Sequence, residues 1–151
     1  MKLLLPLCLM VFALATTGCE GSPAGLPVVK MQIGKRDYHI EVAATQAQQE
    51  TGLMKRDSMP EDHGMIFVFG EEKVLEFWMK NTRIPLDILF LDARGRVVSI
   101  RQMEPYDERH TSSDFPAKYA IELNRGAAAD SGVKVGDRLT IPDSAKEPKR
   151  S

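Results

Sequence analysis

The sequence predicts an α+β domain that is mainly antiparallel β, with about eight short strands, two short helices, and a barrel-like or strongly curved sheet. Two observations lead there. Apolar and polar residues alternate over runs of strand length separated by Gly, Pro and Asp turns, and only two segments carry helix signals. A third suggests closure: so many short strands leave edges that must be covered.

The first elements precede the domain. Residues 1–18, MKLLLPLCLMVFALATTG, place one positive charge at Lys2 before an apolar run from Leu3 to Ala15. That run is shorter than the ~20 residues of a bilayer span and reads as an export signal. Gly18-Cys19 after it resembles a lipobox, which makes Cys19 the lipidation site, although Thr16 stands where Leu is usual. Ala13-Leu14-Ala15 offers ordinary cleavage instead, but would leave an unpaired thiol in an oxidising compartment. The expected location is the bacterial periplasm, with a lipid anchor in the cell membrane or outer membrane. Residues 19–27, rich in Gly, Pro and Ser, read as a tether.

Residues 28–142 form the single domain. Val29, Met31 and Ile33, then Tyr38, Ile40 and Val42, alternate around Gly34-Lys35, the signature of a hairpin with a type II′ turn. Thr45-x-x-Gln48 is a capping box opening a helix towards Met54. Met65 to Phe69 and Val74 to Lys80 read as strands, and Leu86 to Leu91 with Arg96 to Met103 as a second hairpin around Asp92 to Gly95. A long polar loop from Glu104 to Pro116 follows, then a strand from Ala117 to Leu123. Gly126 to Ser131 reads as a short helix stopped by Gly132, Val135 to Ile141 as the last strand, and 143–151 as a frayed tail.

Composition narrows the chemistry. With 20 basic and 21 acidic residues, no bulk charge attracts nucleic acid. Cys8 and Cys19 both precede the domain, which excludes a disulfide and a cysteine nucleophile within it. His39, His63 and His110 lack metal-ligand spacing, and no phosphate-loop, dinucleotide or serine-hydrolase fingerprint is present, so neither metal nor cofactor is expected. Methionines at apolar strand positions read as core filling; Met54, Met59 and Met65 flank a loop where thioethers would suit copper.

The polar residues of FWMKNTRIPLDILFLD form the candidate site. On a strand, Leu75, Phe77 and Met79 face the core while Glu76, Trp78 and Lys80 face away. Asp87 sits among leucines and needs a partner, for which Lys80 is the obvious cation and the amides and side chains of Asn81 and Thr82 the obvious donors. Arg56 either closes the C-terminus of the first helix or reaches the same cluster as an anion clamp. The same residues equally suit a purely architectural knot that aligns two strands.

Thr51-Gly52-Leu53-Met54-x-Arg56, Gly64-Met65-x-Phe67, Phe77-Trp78-Met79-Lys80-Asn81-Thr82, Pro85-Leu86-Asp87, Pro116-Ala117 and Gly136-Asp137 occur in an order and spacing that resembles the bacterial and archaeal family known as domain of unknown function 192. The resemblance runs from about Val28 to Ile141 and implies a shared fold and an exported habit, with no activity attached. Three functional readings follow. The first is a non-enzymatic, envelope-anchored domain binding a small polar or anionic ligand, of glycan origin for instance, through Trp78, Lys80, Asn81, Thr82, Asp87 and Arg56. The second is a hydrolase or lyase of envelope polymers with Asp87 as general base, and the third an architectural interaction module.

Overall fold

The computed structural model describes residues 25–148, so the export signal, Cys19 and most of the tether lie outside the described residues. Gly25 to Pro27 lead into β1 (Val28–Ile33), which pairs antiparallel with β2 (Arg36–Ala43). Gly34 alone of the two turn residues has positive φ, +58°, as a type II′ turn demands. A side chain there would also collide with the Ser131 carbonyl, at 2.2 Å from an added Cβ.

Helix α1 (Gln46–Thr51) opens with the expected capping box. The Gln48 amide N–H donates to Thr45 Oγ1 at 3.3 Å, and the Thr45 N–H donates to Gln48 Oε1 at 3.0 Å. It ends at Thr51, short of Met54, because Gly52 turns out of the helix at φ +47°. Strand β3 (His63–Lys73) then returns parallel to β2. Next come β4 (Glu76–Phe77), β5 (Leu86–Leu91), β6 (Val97–Met103), β7 (Thr111–Ser112) and β8 (Ala117–Asn124), followed by α2 (Ala127–Ser131) and a 3-10 turn at Asp143–Ala145.

The fold is mainly β: a mixed six-stranded sheet in the order β1-β2-β3-β8-β5-β6, a two-stranded β4-β7 sheet, and two short helices. Only the β2–β3 pairing in the large sheet is parallel. The expected barrel is not formed, since β1 and β6 remain separate edges. The reason lies in the central strands: β5 is buried along its whole length, so the middle of the sheet is covered by chain on both faces rather than rolled inward. One face packs under α2 and the segment from Val133 to Ala145, the other under the stretch from Leu53 to Met59 and the stretch from Leu75 to Ile84.

Other expected elements differ as well. The strand expected from Val74 to Lys80 pairs only at Glu76 and Phe77, with β7, which lies inside the segment expected to be loop. The segment from Val135 to Ile141 forms no strand; a single bridge joins Arg96 to Arg138, flanked by Val97 N–H to Asp137 O and Leu139 N–H to Gly95 O, both 2.8 Å. Asp143–Ala145, expected as frayed tail, buries Ala145 against the sheet.

Candidate functional site

Asp87 has a partner, but not the expected one. It projects from β5 to the face covered by α2 and is 2% exposed. There Oδ2 accepts from the Ala128 amide at 3.0 Å, and Oδ1 receives a long contact from Gln102 Nε2 at 3.4 Å. Lys80 is exposed on the other side of the sheet, its Nζ 5.0 Å from the Trp78 ring centroid. The expected Lys80–Asp87 pair is therefore corrected: a helix amide satisfies the carboxylate. The reason is strand parity, which puts Asp87 with Leu89 and Leu91, away from the crossover.

The crossover residues split in the same way. Trp78 is 44% exposed and meets His110 edge-on at 6.3 Å. Asn81 turns the chain at φ +55°, and its carbonyl accepts from the Lys55 amide at 2.8 Å, which joins the Gly52-Leu53-Met54 turn to the Trp78 segment. Thr82 is buried; its N–H donates to Met79 O, while its carbonyl accepts from Tyr106. Thus Trp78 and Thr82 come together, Lys80 sits beside Trp78, and Asp87 is separate.

Arg56 neither caps α1 nor stands open to an anion. Its Nη1 and Nη2 donate to Glu41 Oε1 and Oε2 at 2.5 and 2.8 Å, a bidentate pair in which Glu41 is buried. Glu41 on β2, Met65 on β3 and Glu122 on β8 lie in one cross-strand row. This brings two buried carboxyls to the face carrying Arg56, although neither stood out as a site residue in the sequence. A signal was available: Glu41 and Glu122 each interrupt an apolar run, as Asp87 does.

Glu122 is the anomaly. It is 4% exposed, and no hydrogen bond reaches its carboxyl among the described residues. Burial pushes its pKa up to about 8, with the Arg56 charge pulling weakly the other way. Glu122 lines a narrow cavity of about 30 Å³ whose wall also includes Gly52, Leu53, Met54, Phe67, Trp78 and Thr82. Gly52 turns the chain at φ +47°, a conformation that side-chain-bearing residues rarely adopt, and an added Cβ would press on Phe67 Cζ at 3.3 Å. The pit adjoins an outer cleft of about 250 Å³ lined by Phe67, Phe69, Phe77 and Trp78, with Glu50 and Glu76 at its margin. Phe77 meets Phe67 edge-on at 4.9 Å, which holds the aromatic wall in place. Among the described residues, no group of three or more His, Cys, Asp or Glu is gathered to hold a metal.

Fold and cavity together define a mainly β domain built on one mixed sheet, with an acid-floored aromatic cleft on one face. The chain belongs to the DUF192 family ("Uncharacterized ACR"), which matches residues 29–141. No curated protein matches. Two solved structures are similar: a protein of unknown function from Novosphingobium aromaticivorans, at TM-score 0.76 and 36% identity over 80% of this chain and 91% of that one, and a Sinorhizobium meliloti protein described as a "putative transcription regulator", at TM-score 0.70 and 39% identity over 75% and 91%.

Two measurements check the electrostatics. Asp87→Ala strands a buried amide and is expected to cost about 1–3 kcal/mol in denaturant unfolding, whereas Lys80→Ala should stay within ~1 kcal/mol of wild type. For Glu122, the folded pKa of about 8 lies above the ordinary 4.5. Both states are protonated below the lower value; as pH rises through this window the unfolded chain releases a proton that the folded chain keeps, so stability falls, and it levels off above the upper value. Glu122→Gln should flatten that slope and melt above wild type at alkaline pH; parallel melting curves would contradict the assignment.

Proposed function

We propose that this is a non-enzymatic domain that binds a small polar ligand in the cleft between Trp78 and Glu122, presented at the cell envelope by a lipid on Cys19. The observation that carries the reading is the unpartnered Glu122 carboxyl at the foot of a cavity. A buried polar group without a partner is costly, and a ligand that hydrogen-bonds to it recovers that cost. Trp78, half out of the protein at the rim, supplies a face for stacking.

Geometry shifts the emphasis within the expected ligand class. An anion loses support, because among the described residues no Lys, Arg or His lines the pit or outer cleft and Arg56 is committed to Glu41. The hydrolase or lyase reading with Asp87 as general base also loses support, since Asp87 lies on the opposite face and holds α2. The Sinorhizobium protein's designation as a transcription regulator suggests a regulatory role, but a chain with 20 basic and 21 acidic residues has no surplus of cations to neutralise phosphates.

Trp78 is the sole tryptophan, so its fluorescence reports directly on the cleft. A panel of small polar compounds and envelope extracts is expected to contain ligands that shift Trp78 emission saturably, and Thr82→Val and Glu122→Gln should abolish the shift while leaving the circular dichroism spectrum intact. Equal shifts in wild type and both variants would refute the reading. Labelling with a lipid precursor, compared between wild type and Cys19→Ala, tests the anchor.

A further inference from the structure

We propose that the cleft is built for a small primary amine, whose ammonium head sits on Glu122 and whose apolar body lies against Phe67, Phe69, Phe77 and Trp78. This rests on the ligand-binding reading above and names the ligand's chemical class.

Charge complementarity points to a cation. Among the described residues, every ionisable one lining the pit and outer cleft is acidic: Glu122 in the pit, Glu50 and Glu76 at the outer cleft. Four aromatic rings make up much of the remaining wall, and ring faces attract cations. The protein's own lysines already use this attraction at the rim, with Lys73 Nζ 5.8 Å from the Phe69 centroid and Lys80 Nζ 5.0 Å from that of Trp78. Glu122 is the independent mark of a ligand: it is almost wholly buried, has no hydrogen bond to its carboxyl among the described residues, and lines the cavity.

Size selects the kind of amine. A pit of about 30 Å³ holds one group the size of a water molecule. An –NH₃⁺ head fits; a trimethylammonium does not. Thr82 and Gln49 add acceptor oxygens to the lining for the other ammonium protons. The outer cleft of about 250 Å³ then receives a short alkyl or phenyl body.

Proton balance follows from the empty site. Burial keeps Glu122 protonated at neutral pH. An ammonium arriving at the carboxyl favours its ionised form, so the Glu122 proton leaves to solvent as the ion pair forms. The charged groups around it are Arg56 from the turn after α1 with Glu41 behind it on β2, Glu50 on α1, Glu76 on β4 with His110 Nδ1 at 3.5 Å, and Lys80 at Trp78. Arg56 opposes the incoming cation, but its bidentate bond to Glu41 largely neutralises it.

The test titrates the full-length chain with phenethylammonium, its neutral counterpart 2-phenylethanol, and the anion 3-phenylpropionate, reading Trp78 fluorescence and calorimetry in two buffers of different ionisation enthalpy. The amine should bind at least about tenfold tighter than the alcohol, release a proton near neutral pH, and tighten as pH rises towards about 8. Glu122→Gln should erase both the preference and the proton release; because proton release is read on wild type, the test survives a variant that fails to fold. Equal binding of alcohol and amine without proton release would overturn the amine assignment while leaving the cleft as a ligand site. If neither these probes nor the wider panel perturbs Trp78, both readings fall.

Discussion

Everything in this fold depends on a sheet whose central strands are buried on both faces. β5 has no exposed residue, and in β8 between Ala117 and Leu123 only Lys118 is not fully buried. In such a sheet a polar side chain cannot turn to water by changing face, so each must find a partner inside or remain unsatisfied. Three carboxyls are caught this way, and the three outcomes differ. Asp87 takes an amide from α2, Glu41 takes the guanidinium of Arg56, and Glu122 takes neither.

The first two outcomes are structural. Asp87 ties a helix of only five residues to the central strand, alongside the burial of Ala127 and Ala128 and the Lys35 N–H bond to the Ser131 carbonyl. The Glu41–Arg56 pair ties the turn after α1 to β2, and removal of either member would leave a buried charge alone, at a cost of about 3–5 kcal/mol. The third outcome does not stabilise the empty protein. An acid held neutral by burial is a strain on folding at neutral pH, and its placement at the end of a cavity gives that strain a use.

The Gly52 and Asn81 turns show how sequence motifs far apart converge there. Gly52 ends α1 at positive φ and lets Phe67 close against the backbone; Asn81, also at positive φ, lends its carbonyl to Lys55. These contacts bring the Gly52-Leu53-Met54 turn and the Trp78-to-Thr82 crossover over the same patch of β8, which makes Glu122 the floor of a cleft rather than a residue sealed in the core.

Local order was legible in the sequence wherever the determining forces are local. The capping box at Thr45 and Gln48, the Gly34 turn, the alternation that turns Trp78 and Lys80 outward, and the limits of most strands all follow from neighbours within a few residues. Only the tertiary structure decided which face each carboxyl would meet. Asp87 invited a cation because Lys80 lies seven positions away in the chain, yet parity turned it to α2, forty-one positions on. Glu122 cannot be placed from its neighbours in the chain, because its environment is assembled from α1, β3 and the crossover, none of them adjacent to it in sequence. Burial is a property of the whole packed sheet, and the charge state of a carboxyl is set by burial. The chemistry of this cleft therefore could not be read before the strands were in order.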